Sequence, residues 1–232
     1  MASRGTPPTL DDHLSELLDK FPRLSVQPDG TDGQFTENDE LRLVGSLALD
    51  NVELTNLPRL EGSYRIKVIV PRAFPAALPR VYEVGGSIEQ GYHKWTDGTL
   101  CLGAPLDLRA ILTQTPTLLG FVSNCVVPYL YRHRYREVHH TDPWSDLRHG
   151  SAGLLQYYDH LIGTSDPRAC LEYLHLGGLR KRVANKYPCP CGSGLRLGKC
   201  HHLRLNRLRD YLGRSALRAA RKELKHWLDT EA

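Results

Sequence analysis

YRIKVIVPRAFPAALPRVYEVGG, residues 64–86, decides the fold. Its first seven residues alternate, so Tyr64, Ile66, Val68 and Val70 fall on one face of an extended chain. A two-residue period of this kind is the mark of a β-strand with one buried side. Pro71, Pro75 and Pro79 then interrupt the chain, Val81–Val84 reads as a second strand, and Gly85-Gly86 closes it. Upstream, Leu41–Leu49 reads as a strand of the same sheet. Before it, residues 9–22 carry Leu10, Leu14, Leu17, Leu18 and Phe21 at helical spacing, with Thr9 as the cap and Asp12 three residues on. The polar stretch Gln27–Glu40 breaks that pattern. Three strands following one helix predict an antiparallel meander.

Downstream of the strands, Gly91–Arg109 shows no period and reads as an extended loop. Leu118–Tyr131 is apolar enough for a buried helix that Pro128 bends or ends, and Gly153–Ile162 is a second late helix. Leu203–Leu228 reads as a basic helical tail interrupted by Gly213. Helix, strands, irregular loop and helices in that order define the α+β class.

Composition bounds what this architecture can do. The 232 residues are 41% hydrophobic and 24% charged, ordinary globular values that exclude wholesale disorder and a fibrous repeat. The first seventeen residues lack the apolar core of a signal peptide, and no apolar run approaches the roughly 18–20 residues of a membrane span. A cytosolic, cytoplasmic protein is the expectation. The net charge of +4 hides a division: Arg180–Ala232 holds 14 Lys/Arg against four Asp/Glu, whereas the preceding residues hold 16 against 22. A basic appendage on an acidic body is expected to meet nucleic acid, an acidic partner surface or the body itself.

The six cysteines are unevenly placed, and three of them lie within Cys189-Pro-Cys191-Gly-Ser-Gly-Leu-Arg-Leu-Gly-Lys-Cys200-His201-His202. Two Cys one residue apart, followed by a Cys-His pair nine positions later, can supply four nitrogen and sulfur ligands. Gly192, Ser193 and Gly194 allow the sharp turn that faces both halves toward one ion. Four protein ligands leave no open position, so a zinc ion held here is structural. The run resembles the SEC-C zinc motif, an accessory module appended to many bacterial proteins. That resemblance implies Cys189, Cys191, Cys200 and His201 as ligands, with His202 as the alternative fourth.

The remaining chemistry lies in Gly91-Tyr92-His93-Lys94-Trp95-Thr96-Asp97-Gly98-Thr99-Leu100-Cys101-Leu102. A lone Cys follows an Asp-Gly turn in an extended loop, eight residues after a His. Even an unshifted thiol is a few per cent thiolate at neutral pH, so Cys101 is a candidate nucleophile. Cys125, between Phe121, Val122 and further apolar residues, reads as a small buried hydrophobe, and Cys170 likewise. His139, His140 and Asp142 read as a solvated loop rather than a metal site. Trp95 and Trp144 read evenly as groove wall or core.

Residues 9–163 resemble the ubiquitin-conjugating (E2) family. Phe74-Pro75 and Leu78-Pro79 stand where that family has its Pro-rich turn, and Gly98-Thr99-Leu100-Cys101-Leu102 stands where it has the catalytic Cys segment. The resemblance implies an E2 (UBC-like) fold over 1–163, a connector over 164–186, the zinc motif over 187–202 and the basic tail over 203–232. It implies that Cys101 accepts the C-terminal glycine of a ubiquitin-like protein from an E1-like activating enzyme and passes it to a target amine. Two departures stand out. The family's His-Pro-Asn tripeptide is absent and His93 occupies the offset of its Asn, as oxyanion donor or base. Gly103 replaces a frequent Asp, leaving Asp97, Asp107, His133 and Asp142 as unaligned candidates on the acceptor side.

The pairing of these two motifs is similar to that of bacterial conjugation proteins implicated in antiphage defence. The implied cargo is a ubiquitin-like protein, as in the bacterial ubiquitin-like conjugation (Bil) systems, or the C-terminus of a cyclic-nucleotide synthase, as in CBASS. The alternative is a scaffold with an idle Cys101 that recruits protein or nucleic acid through the zinc knuckle and tail.

Overall fold

Leu41, Leu43 and Leu47 lie opposite Val70, Val68 and Tyr64 in an antiparallel register, and all six side chains are buried. This pairing is the centre of a four-stranded antiparallel sheet seen in the computed structural model, which describes residues 10–27, 40–50, 52–144 and 150–230. The strands are β1 (Leu24–Val26), β2 (Glu40–Ala48), β3 (Ser63–Pro71) and β4 (Arg80–Glu83), in the order β1-β2-β3-β4. The predicted meander is present and gains a strand. Three residues are too few to show a period, so β1 left no sequence signal. Gly45 is what admits it: a Cβ there would stand 2.0 Å from the Arg23 carbonyl oxygen.

α1 (Leu10–Lys20) precedes the sheet and buries Leu17, with Phe21 just beyond it. The cap expected at Thr9 and most of the stretch Gln27–Glu40 lie outside the described residues. The extended loop expected over Gly91–Arg109 ends early, because α2 (Pro105–Gln114) starts on Pro105, whose fixed φ suits a first helical position. Next, α3 (Leu118–Phe121) is capped by Thr117, whose side chain accepts from Gly120 N–H. It passes through a π-helical turn, Val122–Val126, into α4 (Val127–His139). Pro128 does not end this helix, which continues from the π segment through to His139. Tyr64 of β3 meets His133 of α4 at 2.7 Å, and Tyr131 donates to the Pro58 carbonyl at 2.6 Å. These bonds fix α4 relative to the strands.

The chain forms two compact units. One comprises the described residues up to Gly103 together with Gln114–Trp144, and holds the sheet, α1, α3 and α4. The other comprises Ala104–Thr113 and the described residues from 150 onward. In it α5 (Gly150–Ile162), α6 (Pro167–Gly178), α7 (Lys181–Ala184) and α8 (His202–Thr230) surround a separate core. The span 164–186, expected as a connector, is instead built largely of α6 and α7. α6 starts on an Asp166 cap with Pro167 behind it, and buries Cys170, Tyr173, Leu174 and Leu176. Buried Arg209 of α8 donates to the carbonyls of Leu176 and Gly177, which ties the end of α6 to α8. Gly213, at φ 78° and ψ 158°, kinks α8 as its position in the tail suggested. Among the described residues no helix is long and apolar enough to cross a membrane.

Candidate functional site

Two sites stand out, one in each unit. In the first, residues 91–102 are an ordered hairpin attached to the sheet. Lys94 bridges Leu100, Thr99 bridges Tyr82 of β4, and Leu100 N–H donates to the Val81 carbonyl at 2.7 Å. The tip is the Asp97-Gly98 turn, where Gly98 takes φ 82° and Asp97 accepts from Thr99 N–H at 2.9 Å. The hydrogen bonds from Thr99 hold the Asp97 carboxyl below its usual range.

Cys101 ends this hairpin half-buried, and its N–H donates to the His93 carbonyl at 2.7 Å. The two candidates read from sequence are thus held together across the hairpin by backbone. The Cys101 amide already has an acceptor, so an oxyanion formed here needs another donor. His93 itself takes φ 38°, an uncommon conformation for a residue with a side chain.

Three residues that the sequence reading missed hold this arrangement. Tyr129 of α4 directs its hydroxyl at the carbonyls of Tyr92 (3.1 Å) and His93 (3.3 Å), bracing the turn that carries His93. Buried Glu83 accepts from the N–H groups of Gly85, Gly86 and Ile88. Lys94 comes within 3.7 Å of Glu83 and donates to the Ile88 carbonyl at 2.6 Å. A buried carboxylate needs this full set of donors, and in return it fixes the loop that leads into the hairpin. The alternation in Val81-Tyr82-Glu83 was a signal, since it puts Glu83 on the same inward face as Val81.

The other candidates read from the sequence lie elsewhere. His133 is buried with Nδ1 on Tyr64, and desolvation lowers its pKa, so it is a neutral core histidine. Asp142 pairs with Arg132 at 3.1 Å. Asp107 belongs to the second unit, where burial raises its carboxyl pKa and Tyr157 lies 3.5 Å away. Cys125 is buried, as is Cys170, whose thiol burial pushes up to about 11. Trp95 and Trp144 are both exposed, and Trp144 stacks on Tyr131.

In the second unit, the Cys/His run folds back on itself. Cys189 N–H donates to the Leu195 carbonyl and Leu197 N–H to the Tyr187 carbonyl, each at 2.8 Å. Gly192 and Gly194 turn the chain at φ 77° and 72°. A short 3₁₀ turn, Leu197–Lys199, then delivers Cys200 and His201. The ligand atoms of Cys189, Cys191, Cys200 and His201 all lie within 4.8 Å of one another. Cys189 Sγ and Cys200 Sγ stand 3.3 and 3.2 Å from His201 Nδ1, and Cys191 Sγ stands 3.6 Å from Cys200 Sγ. A tetrahedron with Zn–S of about 2.3 Å and Zn–N of about 2.0–2.1 Å has S···S edges of about 3.8 Å and S···N edges of about 3.5 Å. The residues present fit that ion.

His202 is not part of this group. It begins α8 with its Nδ1 buried away from the cluster's four ligand atoms. Two neighbours favour thiolate: Ser193 beside Cys191 lowers that thiol to about 6, and Tyr173 Oη lies 3.5 Å from Cys189 Sγ. Among the described residues this is the one Cys/His/Asp/Glu group that can hold a metal, and His139 and His140 do not form another.

Compared with protein-family models, with curated proteins and with solved structures, the chain matches none.

Proposed function

We propose that the chain is a bacterial-type ubiquitin-conjugating (E2-like) enzyme whose carrier residue is Cys101, with a structural zinc ion bound by Cys189, Cys191, Cys200 and His201. The observation that carries this reading is the Cys101 hairpin: a half-exposed thiol beyond β4 of an antiparallel meander, backbone-paired to His93. The element order supports it, with one helix before the meander and helices after the Cys segment.

In this reading the Cys101 thiolate attacks the carbonyl carbon of the donor's C-terminal glycine, held as a thioester on an E1-like enzyme. The new C–S bond forms and the E1-like thiolate leaves. A target amine then attacks the Cys101 thioester, loses a proton and expels the Cys101 thiolate. His93 takes the role of oxyanion donor, or of the base that takes the amine's proton, since the Cys101 amide is already engaged. The cargo is a ubiquitin-like protein, with the C-terminus of a CBASS synthase as the alternative cargo, and the setting is cytoplasmic antiphage defence.

The test is a charging assay with the E1-like and ubiquitin-like proteins encoded beside the gene, plus ATP, read by intact mass with and without reductant. A thiol-sensitive adduct that persists in Cys125→Ala and disappears in Cys101→Ala is the expected result. No adduct with active partners overturns the reading in favour of an idle scaffold. An adduct on a different residue overturns the assignment of Cys101.

A further inference from the structure

Between Glu172 and Asp210 the sequence holds nine Lys/Arg and no Asp or Glu. This window contains α7 and the whole Cys/His module, and the backbone gathers its cations. Pro188 bridges Arg196, and Gly198 N–H donates to the Asn185 carbonyl. Lys186 and Tyr187 on one arm of the fold therefore neighbour Arg196, Leu197 and Lys199 on the other. Lys186, Arg196 and Lys199 are all exposed and have no carboxylate partner among the described residues. Lys181, at the start of α7, is the one that pairs, with Asp210 at 3.0 Å.

An exposed aromatic residue, Tyr187, follows Lys186 on the same arm. Tyr187 is 45% exposed although its backbone is fixed on both sides, its N–H donating to Ala184 and its carbonyl accepting from Leu197. The ring meets His175 in a T-shaped arrangement at 6.5 Å between centroids. The residue is thus anchored through its backbone while its ring keeps solvent access. With zinc bound to three thiolates and a neutral imidazole, the metal centre carries a formal charge of −1, which leaves the window between Glu172 and Asp210 strongly cationic.

We infer that this face of the zinc module, formed by Lys186, Tyr187, Arg196 and Lys199, binds single-stranded nucleic acid. Closely spaced cations neutralise successive phosphates, and a held aromatic side chain stacks an unpaired base, which is how sequence-tolerant single-strand sites are built. A duplex offers the phosphates but not the stacking partner. An acidic peptide would satisfy the cations and leave Tyr187 unused. The inference does not depend on the chemistry at Cys101.

The test uses the full-length zinc-loaded protein and a fluorescein-labelled 20-nucleotide oligothymidylate, followed by anisotropy from 50 to 300 mM salt. Engagement of three phosphates gives a slope of log K against log salt of about −2. The triple variant Lys186→Ala/Arg196→Ala/Lys199→Ala is expected to weaken binding at least tenfold and flatten the slope. Tyr187→Ala is expected to weaken it roughly fivefold or more while leaving the slope in place. Lys222→Ala/Lys225→Ala, in the far half of α8, stays within twofold. Zinc content by mass spectrometry reports whether each variant keeps its module. If the triple variant loses zinc, the single charge reversal Lys186→Glu carries the test, and an unchanged affinity there overturns the inference. Absence of binding at 50 mM salt also overturns it, as does equal affinity for a matched duplex. Displacement of the oligonucleotide by polyglutamate of equal charge assigns the face to an acidic protein and likewise overturns it.

Discussion

His133 is surrounded on every side that reaches it by groups from the sheet, the hairpin and its own helix. Tyr64 lies at 2.7 Å, Glu137 at 3.7 Å, Glu89 at 3.9 Å and the Tyr92 ring at 4.8 Å. Desolvation outweighs the carboxylates of Glu137, Glu89 and Glu83, so the folded-state pKa falls below the ordinary value. The unfolded chain then binds a proton that the folded chain refuses, in the window between that lowered pKa and about 6.5. Stability therefore rises with pH through this window, with a slope from this one group of no more than about 1.4 kcal/mol per pH unit. Urea midpoints between pH 5 and 7.5 should climb more steeply for the native chain than for His133→Gln. Parallel curves for the two proteins would defeat the assignment. At this scale the sequence was least readable. Nothing in the letter His133 separates a buried, bonded side chain from a solvated one, and the alternation that turns Glu83 inward does not name its partners, because those come from Tyr64 and from the Gly85–Ile88 turn. Cys101 and His93 were legible only as a spacing, and the backbone bond between them came with the hairpin.

At the scale of elements, what could be read was what repeats. The alternation of Leu41, Leu43 and Leu47 and of Tyr64, Ile66, Val68 and Val70 gave β2 and β3, because one buried face imposes a period of two. Elements without a full period escaped. β1 spans three residues, and α6 was hidden because Cys170, Tyr173 and the Gly177-Gly178 pair supply little of an apolar stripe by composition. Close packing explains those glycines: a Cβ on Gly177 would stand 2.9 Å from Leu217, and one on Gly178 would stand 2.5 Å from Arg218. Gly45 is the sharper case, since its obstacles are backbone atoms of Arg23 and Leu24 at 2.0 and 2.8 Å, which cannot swing aside. Gly45→Ala should therefore push β1 off β2 and destabilise the first unit by about 1–3 kcal/mol. Urea denaturation followed by tryptophan fluorescence checks the magnitude, and a change under 0.5 kcal/mol, about the scatter of surface substitutions, would contradict the geometry.

At the scale of the whole molecule, the charge division near residue 180 announced a change of character but not where the second core begins. That core recruits α2 and α5 from well upstream, through Leu106, Ala110, Leu154, Tyr158 and Ile162. Only the fold brings together segments so distant in sequence. The Cys/His module is embedded in the same core rather than appended to it: Cys189 and Leu197 are buried with Leu174 of α6 and Leu205 of α8. Metal in short zinc peptides contributes about 10–16 kcal/mol of apparent free energy, most of it spent on ordering a chain that has no core. Here part of that order is already secured by apolar packing, so stripping the ion should loosen the second unit without unfolding it. The apolar cluster around the ligands is drawn from the second unit alone, which confines the effect. Hydrogen exchange with and without a strong chelator should show lost protection first at Tyr187–His201, then in α6 and the first half of α8. Protection of β2, β3 and α4 should persist. Equal loss in both units would mean that the metal stabilises the chain globally, and unchanged protection at Cys189–Leu197 would mean that these four side chains converge without holding an ion.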